Sequence, residues 1–290
     1  MITCHSEYGV LKSVCLKTPA AAFQRQEKID AEWRALNFVG RPDFHAALAE
    51  YQGFQSAVTE TNPTLHFFPE NDLSIDSLYC RDASIATDGG MILCHMGKAN
   101  REGEPSAARQ QFEAWQIPVL GAIAAPGKLE GGDVAWLDTK TLAVGLTYRT
   151  NANGIAQLRR LIEPLGVEVI EVPLPHFRGP QDVFHLMSIL SPVDHRLAVV
   201  YSPLMPVVFR ELLLARGFEL VEVPDAEFES MGCNVLAMGP RRCLIVRGNP
   251  QTAERLRAAG CQVTEYKGNA ISVLGGGGPT CLTRPLKRVV

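Results

Sequence analysis

Apolar residues in this chain gather in short runs that stop at proline. Residues 64–68, 169–172 and 220–223 each read as a strand closed by Pro69, Pro173 and Pro224, since proline cannot donate into a sheet ladder. Helical spacing alternates with these runs. Ile155, Leu158, Ile162 and Leu165 recur at helix period before Gly166, a second helix opens at Pro206 and closes at Gly217, and a third opens at Asn249-Pro250 and closes at Gly260. Proline at the start and glycine just past the end are the expected punctuation. Residues 32–60 read as the longest helical stretch, with Phe44, Leu48, Tyr51, Phe54 and Val58 on one face.

Shorter β-rich runs pair across turns: 84–86 with 91–95, 134–137 with 141–146, 186–190 with 197–201, and 235–238 with 243–247. The residues that open these hairpins, Asp82, Asp133, His185 and Asn234, are followed by Cys281 in steps of 47 to 52 residues. The spacing predicts about five copies of a hairpin, helix and strand unit. The fifth copy is completed when the N-terminal strand 10–17 pairs with the C-terminal one, a ring closure that leaves no exposed sheet edge. The expected fold class is α/β, and residues 1–290 are expected to form one domain, because no Ser/Gly-rich linker interrupts them.

Composition narrows the function. The chain is 46% hydrophobic and 20% charged, and its longest apolar tract, residues 197–208, is broken by Ser202, Pro203 and Pro206. That is too short to span a bilayer, so no membrane partner is expected. Net charge is −3 without a basic stripe, which argues against nucleic acid. Met1 to Glu7 shows no basic segment before an apolar one, so no signal peptide is expected and the location predicted is cytoplasmic. Eight cysteines (4, 15, 80, 94, 233, 243, 261 and 281) are scattered without a CxxC. Reduced thiols, mostly buried, are the expectation.

Polar residues at the hairpin starts carry the chemistry. They are Asp76, Arg81 and Asp82; Glu130 in Leu-Glu-Gly-Gly-Asp; His185 in Phe-His-Leu-Met; and Cys281 after Gly275–Gly278, Pro279 and Thr280. In a propeller-like ring, equivalent positions converge on the axis. Two carboxylates gathered there repel unless a cation lies between them, and a planar guanidinium suits such a pair. A free thiol is mostly protonated at neutral pH, so Cys281 needs a cationic neighbour, which a bound cation supplies. His185 suits proton transfer to an amine and from water. Neither His185 nor His195 has metal-ligand spacing, so no metal is expected. Asp133 and Asp138 read as turn caps. The glycine run lacks the Gly-Lys-Ser/Thr of a phosphate loop, and tight turns beside a pocket fit it better.

Cys281, His185, Glu130 and Asp82, in these motifs and that order, resemble the guanidino-group-modifying enzymes of the pentein superfamily. The likeness runs over about residues 41–286 and is closest to dimethylarginine dimethylaminohydrolases at 97–105, 129–134, 144–154 and 185–190. It implies a five-bladed α/β propeller and hydrolysis of an N-methylated, arginine-like guanidine to a citrulline-type product and an amine. No cofactor is implied, and the expected partner is a small cationic guanidino substrate; a homodimer is left open. Position by position, Cys281 matches the nucleophile, His185 the general acid/base, and Glu130 and Asp82 the guanidinium clamps. Asp76 matches a pocket aspartate, and Arg101 and Arg149 the arginines that hold the α-carboxylate. Arg81 stands where these hydrolases tend to be acidic; it is similar to arginine and agmatine deiminases and joins the substrate-binding set. Met187 replaces the aspartate of the deiminase His-x-Asp, and an apolar residue there suits N-methyl groups. A deiminase or an amidinotransferase is the alternative enzyme. A non-catalytic pentein, like a ribosome-binding translation factor, has no need of the thiol, imidazole and acids.

Overall fold

The computed structural model describes residues 5–290, so Cys4 and most of the segment read for a signal peptide lie outside the described residues. The chain begins in β1 (Val10–Leu16), passes through α1 (Pro19–Ala22), α2 (Gln26–Glu32) and α3 (Phe44–Thr59), and returns in β2 (Thr64–Phe67). Four similar units follow: β3 (Ser84–Thr87), β4 (Gly90–Leu93), α4 (Glu104–Ala114) and β5 (Val119–Ala122); then β6 (Val134–Asp138), β7 (Thr141–Leu146), α5 (Ala152–Ile162) and β8 (Glu168–Pro173). Next come β9 (Leu190–Asp194), β10 (Leu197–Val200), α6 (Val207–Ala215), β11 (Glu219–Glu222) and the short α7 (Asp225–Phe228). The last unit is β12 (Leu236–Gly239), β13 (Arg242–Val246), α8 (Pro250–Ala258) and β14 (Gln262–Tyr266), before β15 (Thr283–Val289).

Each unit makes one three-stranded sheet with the same wiring: an antiparallel hairpin, then a helical crossover to a third strand parallel to the second. The fifth sheet is β15-β1-β2, with Val10 opposite Val289 and Leu16 opposite Thr283. The predicted pairing of chain ends is therefore present, and the fold is the five-bladed pentein propeller. Burial falls from the middle outward. β3 and β12 are buried along their whole length, whereas β2, β5 and, apart from Val172, β8 are half-buried to exposed. Inner strands with apolar side chains on both faces pack against neighbouring sheets, and the helices cover the outside. The turns that open the inner strands thereby come together.

Two elements differ from expectation. Residues 32–60 are not one helix: α2 stops at Glu32 and α3 starts at Phe44, where Asp43 caps the Ala46 amide at 2.7 Å. Pro42 disfavours helix at the residue before it, and Asn37 adopts a left-handed φ of 63°. The intervening segment folds over the ring, with the Val39 amide donating to the Leu274 carbonyl at 2.8 Å. The second difference is at residues 186–190. Leu186–Ser188 form a 3-10 turn and the strand begins only at Leu190, because the Leu186 amide donates to Asp133 at 3.0 Å and the His185 amide to the Ser188 hydroxyl at 3.1 Å. Side chains that occupy these donors remove them from a ladder.

Candidate active site

Asp82, Glu130 and His185 meet at the centre of the ring, their facing donor atoms all within 4.8 Å of one another. Glu130 Oε2 lies 2.8 Å from His185 Nε2, while Glu130 Oε1 accepts from the amides of Gly97 and Lys98, both at 2.9 Å. Arg149 Nη1 sits 3.4 Å from each Glu130 oxygen. Asp82 Oδ1 accepts the Gly132 amide at 2.9 Å and Oδ2 accepts Arg101 Nη1 at 2.6 Å. Gly132 is required by close approach: a Cβ there would lie 2.5 Å from His185 Nδ1 and 2.8 Å from Asp82 Oδ1. A three-donor cluster of this kind can hold a metal ion. Here Arg101 and Arg149 already supply positive charge to the two carboxylates, and the His185–Glu130 contact is a hydrogen bond, so the donor set matches a guanidinium cation.

Cys281 completes the site. Six of the seven described cysteines are buried and Cys281 is half-buried. Its Sγ accepts from Asn234 Nδ2 at 3.4 Å and lies 3.8 Å from the Thr280 hydroxyl. Asn234, the hairpin-opening residue of the β12 sheet, in turn accepts from the Thr280 amide and hydroxyl. Burial pushes the Cys281 thiol pKa up, the Asp82 charge adds to this, and the Thr280 and Asn234 hydrogen bonds and Arg81 oppose it. The net direction favours the neutral thiol over the thiolate. Burial also works against the His185 imidazolium, but Asp133, the Glu130 hydrogen bond and the Asp82 charge outweigh it and hold its pKa up at about 9. Burial would raise Glu130; the hydrogen bond from His185, its charge, and Arg149 and Arg101 overcome this and keep it ionised well below the usual carboxylate range.

The other expected residues divide. Asp76 lines a small charged crevice with Asp82, Lys98, Arg101 and Arg149, and is paired to Lys98 Nζ at 2.5 Å. Among the described residues, the Arg149 side chain bonds only to Glu130, at 3.4 Å. Arg101, by contrast, is buried and committed to Asp82, both Glu104 oxygens and the Tyr79 carbonyl. Arg81 departs from the substrate-binding expectation. It is 1% exposed, lines neither cavity beside Cys281, and places Nη2 at 2.8 and 2.9 Å from the two Glu7 oxygens. Glu7 lies far away in sequence, so no local signal marks this pair. Arg81→Met is expected to lower stability by about 3–5 kcal/mol, because it strands a buried carboxylate. The double variant with Glu7→Gln should recover part of that loss in thermal unfolding.

Sequence reading missed the supports of the site. Asp133, expected only as a turn cap, does hold the Leu186 amide and the Thr147 and Thr150 hydroxyls, the last two at 2.7 Å. It is also the leading influence that raises His185. Its own carboxyl is pushed up to about 6, chiefly by burial. Asp138 is the simple cap expected, accepting the Lys140 amide at 2.8 Å. Gly275, Gly276 and Gly277 line the pocket as tight turns, and a Cβ on Gly277 would meet the Tyr79 ring at 2.5 Å.

A raised histidine pKa ties stability to pH. The folded chain keeps the His185 proton up to about 9, whereas an unfolded histidine loses it near ~6.5. The His185 contribution is therefore full below about 6.5 and is lost as pH rises through about 9, roughly 3 kcal/mol in all. Thermal unfolding at pH 6.5 and 9.5 should show this difference, and His185→Gln should remove it.

A thiol, an imidazolium and paired carboxylates at the heads of inner strands, in a ring of five sheets, define a pentein that acts on guanidino groups. Residues 24–288 match the model of the family described as N,N dimethylarginine dimethylhydrolase, eukaryotic. The chain belongs to this family and is an amidine hydrolase acting on a guanidino group. It is 29% identical over 221 residues to the N(G),N(G)-dimethylarginine dimethylaminohydrolase of Streptomyces coelicolor, covering 75% of this chain and 78% of that one. To the enzyme of the same name from Pseudomonas aeruginosa it is 23% identical over 268 residues, covering 92% and 97%. Among solved structures, the substrate-bound N-terminal domain of ArgZ, an arginine dihydrolase from cyanobacteria, superposes with a TM-score of 0.82 at 15% identity, covering 96% of this chain and 98% of that one. No helix among the described residues is long and apolar enough to cross a membrane.

Proposed function

We propose that this enzyme hydrolyses an N-methylated, arginine-like guanidine through a covalent Cys281 intermediate. The observation that carries the reading is the guanidinium of Arg149 lying against Glu130, beside a half-buried thiol. An incoming substrate guanidinium takes the place of Arg149 on Glu130, a cation-for-cation exchange that leaves the buried charge unchanged. Arg149 is then free to turn its N–H donors to the substrate α-carboxylate, while Arg101 orients Asp82. Asp76 and Lys98 shape the crevice wall between them. The new cation beside Asp82 lowers the cost of the Cys281 thiolate, and the thiol proton leaves to solvent because His185 already carries its own.

The thiolate attacks the central guanidino carbon, forming a C–S bond and a tetrahedral adduct. The adduct expels the substituted nitrogen as its C–N bond breaks, and His185 gives that nitrogen its proton. The now neutral His185 takes a proton from water, the hydroxide adds to the thiouronium carbon, and the C–S bond breaks to release a ureido product and the thiol. Met187, buried beside His185, presents no carboxylate to an unsubstituted nitrogen, which supports the methylated substrate over a deiminase reaction. Free thiols at all seven described cysteines support a reducing, cytoplasmic location for one catalytic domain.

The test is a panel of guanidino compounds scored for products. Methylamine or dimethylamine with citrulline is the expected outcome; ammonia from arginine at higher kcat/KM would establish a deiminase. A second expected result concerns labelling. Chloroacetamidine, which carries its own cation, should alkylate Cys281 faster than neutral iodoacetamide does, and arginine analogues should protect it. Alkylation of a different cysteine would remove Cys281 from the mechanism.

A further inference from the structure

Cys281 and His185 stand between two spaces of opposite character. On one side is the charged crevice of Asp76, Asp82, Lys98, Arg101 and Arg149, about 20 Å³, room for about one water. On the other is a cavity of about 380 Å³ that reaches the surface. This is within the range that holds a drug-sized ligand. Its wall is largely apolar, formed by Phe177, Phe184, Phe228, Met187, Met231 and Val273, with Arg178, Gln181, Asp182 and Glu229 also lining it and His185, Asn234 and Cys281 at its floor.

The wall is built in place. Phe177 lies 5.6 Å from Phe184 and 6.0 Å from Phe228, centroid to centroid, and Phe228 stacks on Tyr201 at 4.0 Å. Arg178 covers Phe177 at 4.9 Å and pairs with Glu229, just past α7, at 2.6 Å, and both charges line the cavity. Two methyl groups fill a small part of such a space. Apolar surface left in contact with water inside it is a driving force for an apolar occupant.

We propose that the cavity receives the substituent on the departing nitrogen, and that this enzyme favours guanidines bearing an alkyl or aryl group larger than methyl there. The inference rests on the Cys281 reading given above and extends it to the leaving group. Bonding is unchanged: C–S forms, the C–N bond to the substituted nitrogen breaks, His185 protonates that nitrogen, and the primary amine R–NH2 departs through the apolar cavity. Met187 next to the floor then acts as a specificity residue.

The experiment is a series of arginines carrying one Nω substituent, methyl, propyl, butyl and benzyl, with asymmetric dimethylarginine alongside, each followed by citrulline release. Burying each added methylene should raise kcat/KM about fourfold, so butyl and benzyl should exceed methyl by more than tenfold. Val273→Phe narrows the cavity and should flatten the series, lowering the benzyl-to-methyl ratio. Turnover of the methylated arginines with equal or falling rates for butyl and benzyl overturns the inference and leaves the Cys281 reading in place. A rising series that Val273→Phe does not alter also overturns it, since the groups would then be bound elsewhere. Failure of every compound, methylated ones included, rejects the underlying reading together with it.

Discussion

Cys281→Ser is expected to reduce turnover by about 10⁴-fold or more while the protein still binds the guanidino substrate. The size follows from losing the nucleophile of a covalent route, for which no other described group is placed to substitute. A hydroxyl is far less acidic than a thiol, so the cation that suffices to ionise Cys281 against Asp82 does not ionise serine. Binding survives because the partners of the cation, Glu130 and Asp82, and the donors on Arg149 are untouched. Asn234 and Thr280 can hydrogen-bond the serine as they do the sulfur. Isothermal titration of the variant against the substrate, beside a sensitive assay for ureido product, measures both halves. Near-normal rates would reject covalent catalysis by Cys281; loss of binding as well as rate would mean that the thiol shapes the pocket.

Glu130→Gln is the second large effect. Glu130 is fully buried and takes two amides, His185 and Arg149 at once. A neutral amide leaves two cations without their shared partner, and the cost of the buried charge then falls on the imidazolium. His185 loses part of the support that holds it at about 9, so the acid that protonates the departing amine is depleted at neutral pH. The expected outcome is a fall of about 10²–10⁴ in kcat/KM, with the alkaline limb of the kcat profile moved to lower pH. Histidine titration by NMR checks the second point directly. An unchanged limb with reduced activity would restrict Glu130 to substrate binding. Asp133→Asn is the companion measurement: it removes the leading influence that raises His185 without touching the Glu130 contacts, and should move the same limb in the same direction.

The repeat was legible because ring closure imposes one pattern on every unit. Inner strands buried on both faces must be apolar runs, and the crossover helices α5, α6 and α8 open at Asn151, Pro206 and Pro250 and are followed by the left-handed Gly166, Gly217 and Gly260; these are local requirements that leave local traces. The 47-to-52-residue step from Asp82 to Cys281 is visible for the same reason. Where side chains from distant segments claim backbone donors, the trace fails. The turn at Leu186–Ser188 reads as strand in sequence and becomes a 3-10 turn where Asp133, more than fifty residues earlier, accepts the Leu186 amide and the Ser188 hydroxyl accepts the His185 amide. Pro42 marks the break between α2 and α3 locally, while the apolar spacing from Phe44 to Val58 belongs to α3 alone.

By itself, the sequence determined the repeated unit, the closing of the chain ends on each other, and which polar residues stand at the head of each inner strand. Periodicity and spacing record the unit because its strands and turns depend on neighbours a few residues away, and the closing of the ends follows from the repeat, whose fifth copy is complete only when Val10–Leu16 joins Thr283–Val289. Only the tertiary structure decided which charges face which. It assigned Arg81 to Glu7, Arg101 to Asp82, and Arg149 to Glu130 across 19 residues of chain, and it set an apolar cavity against the thiol. Coulomb energy and burial depend on distance in space and on what excludes water, and neither is carried by position along the chain.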